Sequence, residues 1–233
     1  MVRRQTIIAA LVLIAGAAIF GQGVFLTAKA EFAQILLARA WTRAIDGEIA
    51  ATPWPWADTW PVARLSVPSL GQHAIVLAEA GGEALAFGPA LLNVSATPGE
   101  PGTAIIAAHR DTHFEFLKDL IIGDTVMLET TTGELVEYRV TGMEIVDAAR
   151  SGIEPQGGPS RLALVTCWPF GALVPGPERY VVWAEKAGQA FDTTDRGAIS
   201  PMGEDLELAA KRPDPGPDEA EAIHGKRETR SRQ

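Results

Sequence analysis

The sequence predicts a mainly β domain, a closed barrel or sandwich with short helices, set behind one membrane-spanning helix. Three observations carry this. The chain opens with an apolar run from Ile7 to Leu26, about 20 residues and long enough to cross a bilayer. From residue 63 onward the pattern changes to about eight short apolar runs separated by turn residues. Gly (23) and Pro (16) are frequent, which suits short strands and turns better than a helical bundle.

The elements follow in chain order. Arg3 and Arg4 precede the apolar run, whose only strongly polar member is Gln22. The positive-inside rule then leaves the N-terminus cytoplasmic and the rest of the chain outside. A cleaved signal peptide, cut at Ala28-Lys29-Ala30, is the competing reading. The run exceeds a normal signal core and Lys29 falls inside the proposed cut, which favours an uncleaved anchor. In both readings the folded domain is extracytoplasmic.

Residues 29–46 continue as a helix, with Phe32, Ile35, Leu36, Ala40 and Ile45 at helical spacing. Pro53, Pro55 and Pro61 break it, interleaved with Trp54, Trp56 and Trp60. The indoles either pack on the domain or form an interfacial belt near lipid headgroups. The strands are expected at 63–67, 74–78, 103–108, 125–129, 135–140, 143–147, 161–166 and 179–185, with a short helix near 113–120 that turns Phe114 and Leu117 inward. Past Phe191 the apolar periodicity is lost. Acidic residues and prolines lead to a basic end at 226–232, and the segment reads as a disordered, solvated tail. The division is therefore 1–27 stub and anchor, 28–62 juxtamembrane helix and Trp/Pro linker, 63–191 folded β domain, and 192–233 tail.

Composition narrows the function. Apolar residues make up 47% of the 233-residue chain, enough for a sizeable core. The net charge of −9 leaves no basic footprint for nucleic acid. No phosphate loop or dinucleotide fingerprint follows a strand, so no cofactor is expected. His109 and His113 are four apart, but no His-Glu-x-x-His pattern or convincing third ligand accompanies them, and no metal site is expected.

The chain has one cysteine, Cys167, which the anchor puts outside the cytoplasm. It cannot form an internal disulfide. It is therefore buried and inert, bridged to another chain, or a reactive thiol. Cys167 ends one strand, and Arg179 begins the next after a loop rich in Pro and Gly. If the two strands are antiparallel neighbours, thiol and guanidinium share one end of the sheet. His109 also ends an apolar run, so three groups can converge on one rim. A thiolate is the nucleophile for acyl transfer, and cations near it favour its formation. Histidine donates a proton to a leaving amine and later takes one from an attacking amine. Arginine supplies fixed charge and several donors for an oxyanion. Each residue alone has an ordinary structural reading, and Arg161 is the fallback for Arg179. Arg161 shares strand parity with Cys167 but lies too far along the strand for easy contact.

These residues resemble the sortase family of cysteine transpeptidases. The resemblance runs from about 63 to 185. Its landmarks are Pro98-Gly99, His109-Arg110-Asp111-Thr112-His113-Phe114, Leu120 with Gly123-Asp124, Leu164-Val165-Thr166-Cys167 and Arg179-Tyr180-Val181-Val182. Cys167-Trp168-Pro169-Phe170 looks most like the class GN sortases of Gram-negative proteobacteria. The resemblance implies an eight-stranded sortase β-barrel. It implies Cys167 as nucleophile on a C-terminal LPxTG-like sorting signal, His109 as general acid then base, and Arg179 as oxyanion stabiliser. The implied partners are a substrate protein carrying that signal and an amine acceptor, with the lipid bilayer engaged through the anchor. The implied location is the inner membrane, with the domain on the periplasmic side. The chain departs from many sortases in having Ala108 before the histidine and a long, proline-rich 168–178 loop. Residues 147–159 are expected to frame the signal-binding groove. The rivals are a thiol hydrolase that gives the acyl group to water, and a tethered, non-catalytic β-domain.

Overall fold

The computed structural model describes residues 2–79, 81–172, 174 and 176–188. The tail expected at 192–233 lies outside the described residues.

Helix α1 (Val2–Ile45) is a single 44-residue element, about 66 Å long at 1.5 Å per residue. It is long and apolar enough to cross a membrane. Leu13, Ile14, Ile19, Phe20, Val24 and Phe25 are all exposed along its first half. The second half is docked on the domain through Ala33, Leu37, Ala40, Trp41 and Ala44, all buried. The helix expected at 29–46 is present, and of the apolar residues at helical spacing Phe32, Ile35 and Ile45 are exposed while Ala40 is fully buried. The alanines dock because small side chains let the helix backbone approach the sheet, while bulky ones would hold it off.

Leu37 packs with Leu77, Ala84 and Ala90, and Gln34 Nε2 donates to the Phe87 carbonyl at 2.8 Å. The chain then returns through residues 46–60. Trp54 packs edge-on against Phe87 at 4.8 Å, and Trp60 is half-buried, whereas Trp56 is exposed. Two indoles therefore take the packed role and one faces out.

The eight strands are β1 (Pro61–Val67), β2 (Gln72–Leu77), β3 (Ala90–Leu91), β4 (Gly102–Ala107), β5 (Thr125–Thr130), β6 (Leu135–Asp147), β7 (Ser160–Cys167) and β8 (Glu178–Lys186). They close into a barrel in the order β1-β2-β3-β4-β7-β8-β6-β5. Closure between β2 and β4 runs through the two-residue β3, which pairs Leu77 with Ala90, Ala90 with Ala107 and Leu91 with Ile106. The β2–β3 and β4–β7 pairs are parallel and the rest antiparallel.

Two sequence expectations are corrected here. The runs at 135–140 and 143–147 form one strand, β6, whose register against β8 shifts between Val140 and Gly142. A bulge lets one strand bend and change the face it presents without ending. The eighth strand is instead β3, which is only two residues long, and it follows helix α2 (Gly82–Phe87), which was not expected.

The interior holds Leu65, Val67, Val76, Ile106, Val126, Leu128, Tyr138, Leu162, Leu164 and Val182, every one fully buried. One end is plugged by the turn after β4. There a short 3-10 helix (Glu115–Asp119) brings Phe114 and Leu117 inside at 0% exposure, as the sequence predicts. Phe114 also meets Phe116 edge to face at 5.8 Å. Replacing Phe114 with Ala is expected to cost about 3–5 kcal/mol of stability. Urea unfolding checks this, and a loss below about 1 kcal/mol would mean the plug carries little of the core.

Candidate active site

The site is built by register. β4 and β7 run parallel with Ala107 beside Val165. Pairing continues past the end of β4: the Ala108 amide donates to the Val165 carbonyl at 3.1 Å, and Thr166 Oγ1 donates to the Ala108 carbonyl at 2.8 Å. His109 follows directly, just past the last tied residue and at the same end of the sheet as Cys167. On the other side, β8 runs antiparallel and sets Arg179 directly opposite Cys167. The Trp168 amide donates to the Glu178 carbonyl at 3.1 Å. That bond flanks the Cys167–Arg179 pair, which is thus of the non-hydrogen-bonded type, with Cα atoms about 4.5 Å apart and side chains closest.

Strand alternation fixes the face. Leu162 and Leu164 enter the barrel core, whereas Ala163 and Val165 join an outer cluster with Ile105, Val181, Trp183, Leu92, Val146 and Ile153. Cys167 has the parity of Ala163 and Val165, so it stands on the outer face. Arg179 shares that face with Val181, and His109 with Ile105. Cys167 and Arg179 are half-buried and His109 is exposed. An apolar strip on the barrel exterior thus ends at a thiol flanked by an imidazole and a guanidinium. Segment 151–159 crosses that exterior, with Ile153 in the outer cluster and the Pro155 carbonyl accepting from the Thr103 amide at 3.1 Å. Gly102, at φ +112°, permits this approach, because a Cβ there would sit 2.8 Å from the Pro155 carbonyl oxygen.

Arg179 Nη1 donates to the Gly176 and Glu178 carbonyls at 3.0 and 2.8 Å. Its charge is therefore held at the strand end by its own loop. Arg161, the alternative, lies on the same face but six residues before Cys167, roughly 20 Å along the strand, and 4.0 Å from the Glu185 carboxylate. His113 is half-buried close to His109. Burial lowers its pKa, and repulsion from His109 lowers it further, so it favours the neutral form.

Two features were named in the sequence only as parts of motifs, with no role given. Trp168, Phe170 and Tyr180 form a ring cluster beside Cys167, with Trp168 stacked on Tyr180 at 5.7 Å and Phe170 edge-on to Tyr180 at 5.3 Å. Burial there raises the Tyr180 pKa, keeping the phenol protonated. The second feature is Arg110, which is almost fully buried although it follows the exposed His109. A buried arginine has no periodicity signal. Its only trace in the sequence was a cation directly after the histidine.

A thiol beside an imidazole, with a cation opposite, can perform nucleophilic acyl transfer. Sγ attacks, the ring moves protons, and the guanidinium offsets negative charge on oxygen.

Comparison with known proteins agrees with this architecture. A family model of the sortase domain matches residues 65–187, more than half of the chain. Sortase D of Bacillus subtilis (strain 168) is 28% identical over 123 residues, which are 52% of this chain and 62% of that protein. The chain thus spans under two thirds of that relative's length. Among solved structures, sortase A from Corynebacterium diphtheriae has 24% identity and a TM-score of 0.51, covering 60% of this chain and 66% of that one. A lid mutant of the same enzyme has 21% identity and a TM-score of 0.51, covering 72% and 98%. At these identities the two structures speak for the fold alone, an eight-stranded mixed barrel. With the domain match they lead to one conclusion: the chain belongs to the sortase family of cysteine transpeptidases.

Proposed function

We propose that this chain is a membrane-anchored transpeptidase that cleaves a C-terminal, LPxTG-like sorting signal and passes the acyl group to an amine. The observation that carries the reading is the register that sets Cys167 opposite Arg179 on β8, with His109 two residues past the end of β4, the strand parallel to β7. Sγ of Cys167, as thiolate, attacks the scissile carbonyl carbon, and the carbonyl π electrons move to oxygen beside Arg179. Collapse of this intermediate breaks the C–N bond, and protonated His109 gives its proton to the departing amine nitrogen. A thioacyl enzyme remains. An incoming amine attacks the thioester carbonyl and loses a proton to His109. The C–S bond breaks, which regenerates the thiolate and leaves a new amide.

Helix α1 supports an anchor, since its residues 13–25 are mostly apolar and exposed while Ala33, Leu37, Ala40, Trp41 and Ala44 pack on the barrel. Arg3 and Arg4 support a cytoplasmic N-terminus and a catalytic domain, 63–191, on the periplasmic side of the inner membrane. Cys167-Trp168-Pro169-Phe170 and the single anchor support the class GN subgroup. The segment 151–159 supports a groove for the signal over the outer apolar strip.

The test is product mass. The full chain in detergent is given a peptide ending in an LPxTG-like signal, with and without an added amine. The expected products are an amine-ligated peptide and, after acid quench, an acyl adduct on Cys167. A free acid as the only product in both arms would make the chain a hydrolase. Cleavage without an adduct on Cys167 would overturn the mechanism.

A further inference from the structure

The Arg110 side chain is only 7% exposed. Nη1 donates to the Pro169 carbonyl at 2.9 Å, and Nη2 donates to the Ala172 carbonyl. Nε faces both oxygens of the Asp111 carboxylate at 3.3 Å. One planar guanidinium thus spans two carbonyls of the loop that begins directly after Cys167, and its backbone is the residue directly after His109. We infer that Arg110 is a positioning residue that locks the histidine-bearing turn to the cysteine-bearing loop and so holds His109 and Cys167 in working register.

Three features of the surroundings support this role. The β4 strand ends at Ala107, so beyond Ala108 no strand pairing fixes His109. The turn is otherwise tied by the His109 carbonyl, which accepts from the Phe114 amide at 3.0 Å, a bond to the plug and not to the cysteine-bearing loop. Among the described residues of the loop from 168 to 177, the Ala172 amide reaches the Pro169 carbonyl at a long 3.5 Å. Arg179 holds the loop's second half through Gly176 and Glu178, and Arg110 holds its first half. Lysine at 110 would keep the charge but lose the fork that reaches two carbonyls and a carboxylate at once. Small losses of alignment between a nucleophile and its proton partner cost up to about 100-fold in rate.

The inference rests on the proposed pairing of Cys167 with His109, and the lone cysteine makes it measurable without a substrate. Iodoacetamide reports Cys167 alone, because the chain has no other thiol, and the thiolate is the reacting form. Alkylation is followed at pH 6 in the full detergent-solubilised chain, with four variants forming a cycle: unaltered, His109→Ala, Arg110→Lys and the double variant. His109→Ala is expected to slow alkylation about tenfold in the unaltered background and less than about twofold in Arg110→Lys. A merely structural Arg110 would alter the folded fraction and leave that ratio unchanged. Asp111→Asn keeps the guanidinium in place and removes only its carboxylate partner. It is expected to give an intermediate ratio, so the question stays open to test if Arg110→Lys folds poorly. Equal His109-dependence in all backgrounds overturns the inference alone. No His109-dependence in the unaltered chain overturns the Cys–His pairing itself and the inference with it.

Discussion

Substituting Cys167 by Ala is expected to abolish release of the sorting-signal tail, with a loss of at least about 10⁴-fold, while leaving the barrel folded. The two halves of this expectation have different physical grounds. Without Sγ no thioacyl intermediate forms, and neither His109 nor Arg179 can supply a nucleophile in its place. The fold, by contrast, gains little from the sulfur. Cys167 is half-buried on the outer face at the end of β7, and the interior packing of that strand comes from Leu162 and Leu164. Deleting one partly exposed atom costs under about 1 kcal/mol. Circular dichroism and the thermal midpoint should therefore match the unaltered chain. If Cys167→Ala still releases the tail at the normal rate, the covalent mechanism is wrong. If it unfolds, Cys167 is a structural residue and the tethered-domain reading gains.

The barrel was legible because its strands are short apolar runs set apart by turn residues, and in β1 and β5 buried and less buried residues also alternate with a period of two. What escaped notice had no period to show. Strand β3 is two residues long, too short for any alternation. The break seen in β6 was a bulge, and a glycine beside it at 142 looks the same in sequence as a turn. The docked face of α1 was not legible because that segment carries apolar residues on several sides. Which side docks is decided by the shape of the sheet it meets, and the alanines won. In the site, Cys167 and Arg179 are register partners on β7 and β8. The parallel β4–β7 pairing that brings the end of β4 beside the end of β7 joins segments more than fifty residues apart. No local pattern announces such a pairing. Arg110 escaped for a related reason. Its partners are backbone carbonyls at 169 and 172, which every sequence has and no sequence marks.

Arg179→Ala is expected to lower kcat by about 10²–10³-fold, and Arg161→Ala by less than about threefold. Both arginines stand on the outer face, so parity alone does not separate them. Distance does: Arg179 is Cys167's register partner, whereas Arg161 lies near the far end of β7, beside Glu185. An oxyanion forming on the carbonyl that Sγ attacks lies within a few ångströms of the thiol. Only the nearer cation can stabilise it strongly, because a charge roughly 20 Å away through water is screened beyond the Debye length. In the unliganded chain Arg179 spends Nη1 on the Gly176 and Glu178 carbonyls. This fixes the guanidinium against the loop and leaves its charge at the thiol's end of the sheet. Arg179→Lys should therefore recover only part of the loss, since an ammonium keeps the charge but not a planar fork that can hold the loop and meet an oxyanion together. Single-turnover acylation, followed as the acid-stable Cys167 adduct, isolates the step. An unchanged rate in Arg179→Ala, or an equal loss in Arg161→Ala, would move the oxyanion role away from Arg179.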